Sequence, residues 1–155
     1  MNTIPSIIVP IIKGDESDNV NLFELFKDKK NIIFGVPGAF TPTCSEKHLP
    51  GFINLAESIK KKGISEIYCL SVNDPHVMKS WLLNYTNNQH IFGIADGNGE
   101  VSKFFNLLSD KSVNFMGMRC TRFAMIIENN EVSDLFIEKS GMFQETSAEN
   151  ILSKL

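Results

Sequence analysis

Gly35-Val36-Pro37-Gly38-Ala39-Phe40-Thr41-Pro42-Thr43-Cys44-Ser45-Glu46-Lys47-His48-Leu49-Pro50-Gly51-Phe52 follows directly on the apolar run Ile32-Ile33-Phe34. An apolar run bounded by glycine and proline reads as a strand covered on both faces. Beyond the punctuation, Leu49, Phe52, Ile53, Ala56 and Ile59 keep helical spacing, so an amphipathic helix is expected over residues 43–62, kinked at Pro50-Gly51. Cys44 then sits in the first turn of a helix fed by a buried strand. The N–H groups of such a turn lack helical acceptors and carry partial positive charge, which favours thiolate over thiol. Thr41 stands one helical turn earlier, within reach of the sulfur or of whatever the sulfur attacks, and Pro42 suits a helix start.

Upstream, residues 1–14 read as extended and proline-punctuated, with a turn at Lys13-Gly14-Asp15 and a short helix over 20–26. Downstream, Lys60-Lys61-Lys62-Gly63 closes the helix with cations and a glycine at the negative end of its dipole. A second strand is expected over 66–72, and Asn73-Asp74-Pro75 opens a helix carrying Val77, Met78, Trp81 and Leu82. Residues 90–95 read as a third strand and 101–108 as a helix. After a polar loop, residues 122–127 and 132–137 flank the turn signal Glu128-Asn129-Asn130-Glu131, and a last helix covers 147–155. Strands alternating with helices and closed by a hairpin predict an α/β fold, a central mixed sheet with helices on both faces.

At 155 residues and 43% hydrophobic content the chain fits a single domain over 1–155 with a core that needs no staples. A net charge of −3 and a pI near 5.6 leave no basic stripe, which argues against nucleic acid and anionic membrane surfaces as partners. No run approaches the ~20 apolar residues of a membrane span. Cys44, Cys69 and Cys120 form no CxxC and no His/Cys cluster, so neither a disulfide framework nor a metal site is expected. Free thiols point to a reducing, intracellular and cytoplasmic setting. Ser153-Lys154-Leu155 spells the peroxisomal import tripeptide, a signal only in a host that has peroxisomes.

Pro37-x-x-x-Thr41-x-x-Cys44, the longer run Gly38 to Ser45, Leu49-Pro50-Gly51-Phe52 and the distant Arg122-Phe123-Ala124-Met125 together resemble the peroxiredoxins, in particular their type-five (type II, atypical) subgroup. The resemblance implies a thioredoxin-like fold and a peroxidase that reduces hydrogen peroxide and small alkyl hydroperoxides with no metal, haem or flavin. It makes Cys44 the nucleophile, converted to a sulfenic acid. Thr41 and the backbone at Thr43 and Cys44 are then the hydrogen-bonding groups, Arg122 the cation, and Pro37 the shield against water. Arg119 competes with Arg122 for that place, and the Phe-Ala-Met context favours Arg122. Phe40, Thr43 and Phe115 are candidates for the substrate pocket, with plain core as the other reading of the two aromatics. His48, one turn after Cys44, favours the thiolate if it is charged; the other reading is a partly buried polar residue near the interface. Trp81 is read as either core or, with Asp74-Pro75, part of the subgroup's dimer contact. A homodimer is implied by the resemblance alone.

Recycling of the oxidised sulfur divides the alternatives. The C-terminal stretch Gly141 to Ala148 has no cysteine, which excludes the internal disulfide that some members form there. Cys69 matches a second cysteine of plant-like members, yet Ile67-Tyr68-Cys69-Leu70 reads as the middle of a buried strand. Cys120 precedes Arg122 in an expected loop, where it is either a bystander or a thiol reaching outward to a donor or second subunit. The expected cycle is one-Cys: the sulfenic acid reacts with glutathione, and glutaredoxin or a second glutathione releases Cys44. The alternative is a thioredoxin-recycled peroxidase with Cys69 or Cys120 as resolving thiol. A disulfide oxidoreductase is disfavoured because Thr41 occupies the place of the first cysteine of CxxC. A non-enzymatic redox sensor or holdase on the same fold remains a third possibility.

Overall fold

The computed structural model describes residues 2–139 and 141–155. A seven-stranded sheet runs in the order β2 (Glu16–Asn21), β1 (Ile8–Lys13), β5 (Ile91–Ala95), β4 (Glu66–Ser71), β3 (Lys30–Gly35), β8 (Phe123–Glu128), β9 (Glu131–Ile137). Its centre is parallel: β3 (Lys30–Gly35), β4 (Glu66–Ser71) and β5 (Ile91–Ala95) lie side by side. These strands are apolar throughout because both their faces are covered. On one side the hairpin β8 (Phe123–Glu128) and β9 (Glu131–Ile137) adds antiparallel strands, turning at Asn129 and Asn130, both left-handed. Asparagine tolerates that conformation, which makes this a type I′-like hairpin turn.

On the other side β1 (Ile8–Lys13) and β2 (Glu16–Asn21) form a hairpin around Gly14. Residues 1–14, expected to be merely extended, thus supply a full strand. The polar stretch β2, Glu-Ser-Asp-Asn-Val-Asn, gave no hydrophobic signal because it is an edge strand with most side chains in water.

Helices α2 (Leu49–Lys60), α3 (Pro75–Leu83) and α5 (Ala148–Ser153) pack on one face, where Phe34, Phe52, Ile59, Met78 and Trp81 meet. Helices α1 (Leu22–Phe26) and α4 (Glu100–Phe104) cover the other with Phe26, Val101 and Phe105. Each fully buried side chain of this kind contributes about 1.5–3 kcal/mol through the hydrophobic effect. Trp81 is core, 1% exposed. Helix α4 ends earlier than the apolar pattern implies because Asn106 turns left-handed, and Leu108 begins a strand instead. That strand, β6 (Leu108–Asp110), pairs with β7 (Met118–Cys120) in a small separate ribbon where a loop was expected. Capping side chains mark three helix starts: Asn21 accepts from the Glu24 N–H, Asp74 from Val77 and Ser147 from Asn150.

The helix after β3 begins at Pro42 but is not α-helical throughout. Cys44–His48 form a π turn, in which the Leu49 N–H reaches back to the Cys44 carbonyl, and α2 continues from there. The irregularity therefore falls before Pro50 rather than at Pro50-Gly51. Pro50 has no N–H to offer the helix, and the wider turn places it in the first turn of α2, where none is needed. Across the gap to α3, the Trp81 indole N–H donates to Ser45 Oγ at 3.0 Å and the Tyr85 hydroxyl to the Ser45 carbonyl at 2.7 Å. No helix among the described residues is long and apolar enough to cross a membrane.

Candidate active site

Parallel strands deliver their C-terminal ends to one edge of the sheet, and the site is assembled there. The chain leaves β3 at Gly35, passes Pro37 and turns into the helix. The Ser45 N–H bonds the Thr41 carbonyl at 2.9 Å, which makes Thr41 the N-cap. Pro42 has no N–H, so the N–H groups of Thr43 and Cys44 are the ones without a helical acceptor. The sulfur beside this turn is buried, with Cys44 1% exposed.

Thr41 does not donate to the sulfur. Its hydroxyl proton goes to the Gly38 carbonyl at 2.6 Å, which leaves the oxygen's lone pairs as acceptors for an incoming O–H.

Arg122 is distant from Cys44 in sequence but adjacent to it in the sheet. Strand β8 is antiparallel to β3, with Phe123 opposite Gly35, so the residue just before β8 lies beside the end of β3. The Arg122 carbonyl accepts from Glu138 N–H at 3.0 Å. One guanidinium nitrogen donates to Cys44 Sγ at 3.1 Å and another to His48 Nδ1 at 2.9 Å, while the Phe143 ring lies 5.8 Å from the guanidinium carbon. Arg119, the competitor, is turned to the Met116 carbonyl at 2.9 Å.

His48 is fully buried against Phe34, Phe52 and Phe143, and its Nε2 lies 2.9 Å from the Thr146 carbonyl. A carbonyl can only accept and a guanidinium can only donate, so His48 is neutral with its proton on Nε2. Burial, reinforced by the Arg122 charge, pushes the imidazole down to about 3. The expectation that a charged His48 favours the thiolate is therefore corrected. Burial makes the charged form too costly, and the ring orients Arg122 instead.

Phe40 and Phe115 are not part of the core, and neither is among the residues that line the two cavities at the site. Both have left-handed backbones and exposed rings, 53% and 98% respectively. Two adjoining cavities do open at the site, and both are lined by Pro37, Thr43, Lys111 and Arg122. The smaller, about 240 Å³, adds Thr41, Pro42, Asn114 and Met116. The larger, about 370 Å³, adds Lys47, Glu138 and Phe143 among others. Of these residues, Lys111, Asn114 and Met116 lie in the β6–β7 connection, which no periodicity singled out.

The other two thiols are buried apart from solvent. Cys69 lies mid-strand in β4, on the Cys44 side of the sheet, and burial pushes its thiol well up. Cys120 is on the opposite side, where its S–H donates to the Val36 carbonyl at 3.0 Å and burial raises it as well. Expected in a loop, as a bystander or as a thiol reaching outward, Cys120 is instead fixed in β7 and turned inward. The described residues contain no group of three His, Cys, Asp or Glu placed to hold a metal.

The Redoxin family model matches residues 2–152. Peroxiredoxin-2D of Arabidopsis thaliana is 46% identical over 143 residues, 92% of this chain and 88% of that protein. Reduced Prx3 of Vibrio vulnificus, solved in complex with hydrogen peroxide, superposes with a TM-score of 0.92 at 40% identity, covering 99% of this chain and 96% of that one. The Plasmodium falciparum antioxidant protein, described as a 1-Cys peroxiredoxin, gives a TM-score of 0.88 at 34% identity over 97% and 94% of the two chains.

Proposed function

The chain belongs to the peroxiredoxins of the Redoxin family, in their type II group, and from that membership we propose a one-Cys thiol peroxidase cycle centred on Cys44 and recycled by glutathione. Peroxide reduction by a thiol, with no prosthetic cofactor, comes with the family. The division of labour among residues and the choice of reductant are our reading.

One observation carries it: the Arg122 guanidinium donates directly to the buried Cys44 sulfur at 3.1 Å. Charge-assisted donation of that kind favours negative charge on sulfur and then on the departing oxygen. A hydroperoxide enters by the smaller cavity and gives its O–H to Thr41 Oγ1, which is free to accept. The Cys44 thiolate attacks the near oxygen along the O–O axis. The S–O bond forms as the O–O bond breaks, leaving Cys44 as a sulfenic acid, and the departing alkoxide or hydroxide takes a proton to become alcohol or water. Arg122 and the N–H groups of Thr43 and Cys44 stabilise the charge in transit, while Pro37 helps exclude water.

The one-Cys half rests on the two remaining thiols. Both are buried and held in the protonated form by burial, so neither is a ready nucleophile in this conformation. A small thiol in solution is not held protonated by burial.

The test is the intact mass of reduced protein after one equivalent of hydrogen peroxide, with and without glutathione, beside Cys44→Ser. The expected product is one oxygen heavier, absent from the variant, and converted by glutathione to a mixed disulfide. A product two hydrogens lighter would assign resolution to Cys69 or Cys120 and recycling to thioredoxin.

A further inference from the structure

The mouth of the site carries the opposite charge to the protein as a whole. Acids outnumber bases overall, 18 to 15. In the larger cavity, however, Lys47, Lys111 and Lys139 converge with Arg122 from three separate segments, and the only carboxylate among the lining residues is Glu138. That carboxylate is already engaged: its Oε2 accepts from the Gln144 N–H at 2.7 Å, the Thr146 N–H at 2.9 Å and the Thr146 hydroxyl at 2.8 Å. None of the three lysines forms an ion pair among the described residues. Phe143, lying against Arg122, gives the cavity an apolar wall.

Hydrogen peroxide is small and neutral, and has no use for three unpaired ammonium groups. A reductant that must reach the same sulfur is different. Rings of one charge raise the local concentration and arrival rate of small ions of the other. A volume of about 370 Å³ is also in the range that holds a small organic ligand.

Resting on the one-Cys reading above, we propose that this cavity docks a low-molecular-weight thiol bearing carboxylates, with Lys47, Lys111 and Lys139 holding the carboxylates so that its sulfur faces Cys44. In the reaction, the reductant's thiolate attacks the sulfenic sulfur. A new S–S bond forms, the S–O bond breaks, and hydroxide leaves and becomes water by taking up the proton that the thiol released on ionising. The Cys44 sulfur is reduced and the incoming sulfur oxidised, giving a mixed disulfide.

The test pre-forms the sulfenic acid with one equivalent of peroxide and follows mixed-disulfide formation by quench and mass spectrometry. The thiols are mercaptosuccinate, glutathione, 2-mercaptoethanol and cysteamine, each corrected for its thiolate fraction. The expected order follows negative charge, with mercaptosuccinate fastest and cysteamine slowest, and the spread collapses in high salt. In the double variant Lys47→Glu/Lys139→Glu the ratio of glutathione to 2-mercaptoethanol rates falls about tenfold or more, and in Lys47→Met/Lys139→Met it falls part of the way. Rates blind to thiol charge, or an equal fall for every thiol in the variants, would overturn the docking proposal and leave the one-Cys cycle standing. Formation of an intramolecular disulfide with no adduct from any thiol would overturn both.

Discussion

Arg122 holds Cys44 and His48 with two nitrogens of one guanidinium, at 3.1 Å from the sulfur and 2.9 Å from the imidazole Nδ1. The arrangement needs a planar fork with divergent donors, and a lysine ammonium at the end of a flexible stem cannot serve both partners at these separations. Hydrogen bonds from charged donors are worth about 1.5–3 kcal/mol. Arg122→Lys is therefore expected to slow oxidation of Cys44 by hydrogen peroxide roughly 10- to 150-fold, measured as the second-order rate under rapid quench. A rate within threefold of the parent would mean that the fork contributes nothing at the sulfur.

His48 makes stability depend on pH. Its folded value, about 3, lies below the unfolded value of 6.5, so the unfolded chain binds the extra proton as the solution is acidified. The stabilisation is complete above pH 6.5 and is lost as the pH falls toward 3, at about 1.4 kcal/mol per unit. Between pH 7 and pH 5, urea unfolding is expected to show a loss of roughly 2 kcal/mol. His48→Asn removes the titrating group, and its profile over that interval should be flatter by that amount. An unchanged slope in the variant would place the titration elsewhere.

The two spare thiols should respond differently to the same substitution. Cys69 has no hydrogen-bond partner among the described residues in the apolar centre of β4, and a serine hydroxyl there is desolvated without compensation. Cys69→Ser is expected to cost about 1–3 kcal/mol in urea unfolding. Cys120 already donates to the Val36 carbonyl, a bond that a hydroxyl can keep. Cys120→Ser is expected to cost less than about 1 kcal/mol, and equal costs would contradict the two environments.

Gly35 faces the ring of Phe123 across β3 and β8, so closely that an added methyl group would overlap it. Gly35→Ala forces that buried ring aside and is expected to cost at least about 1–3 kcal/mol. Because Arg122 is the next residue, the peroxide rate should fall as well. Adding Phe123→Leu makes room for the methyl, and the double variant should recover part of both losses, which a simple sum of the single effects would not give.

The parallel strands, the Cys44 helix and the β8–β9 hairpin were legible because their signals are local: an unbroken apolar run, a helical stripe, an Asn-Asn turn. The partnership of Cys44 with Arg122 was legible only through resemblance, since the pairing of β8 with β3 that joins them is a long-range event. Polar β2 and the β6–β7 ribbon escaped because edge strands and short ribbons carry no hydrophobic period. The full burial of His48 was not legible because it depends on Phe143 and Thr146, which arrive from the far C-terminal segment. Phe40 and Phe115 were misread as pocket or core because the left-handed backbone that turns each one outward leaves no mark on aromatic sequence.

The π turn has a geometric consequence for the sulfur. In an uninterrupted α-helix the buried stripe Leu49, Phe52, Ala56 and Ile59 would continue upward through Ser45, leaving Cys44 about 100° out of phase with it. One extra residue in the turn resets that phase, so that Cys44 is buried and Ser45 is turned toward Trp81 and Tyr85. The reactive atom is thus aimed by a count of residues as much as by their identity, and the stretch between Cys44 and Leu49 is one where length is under tighter constraint than composition.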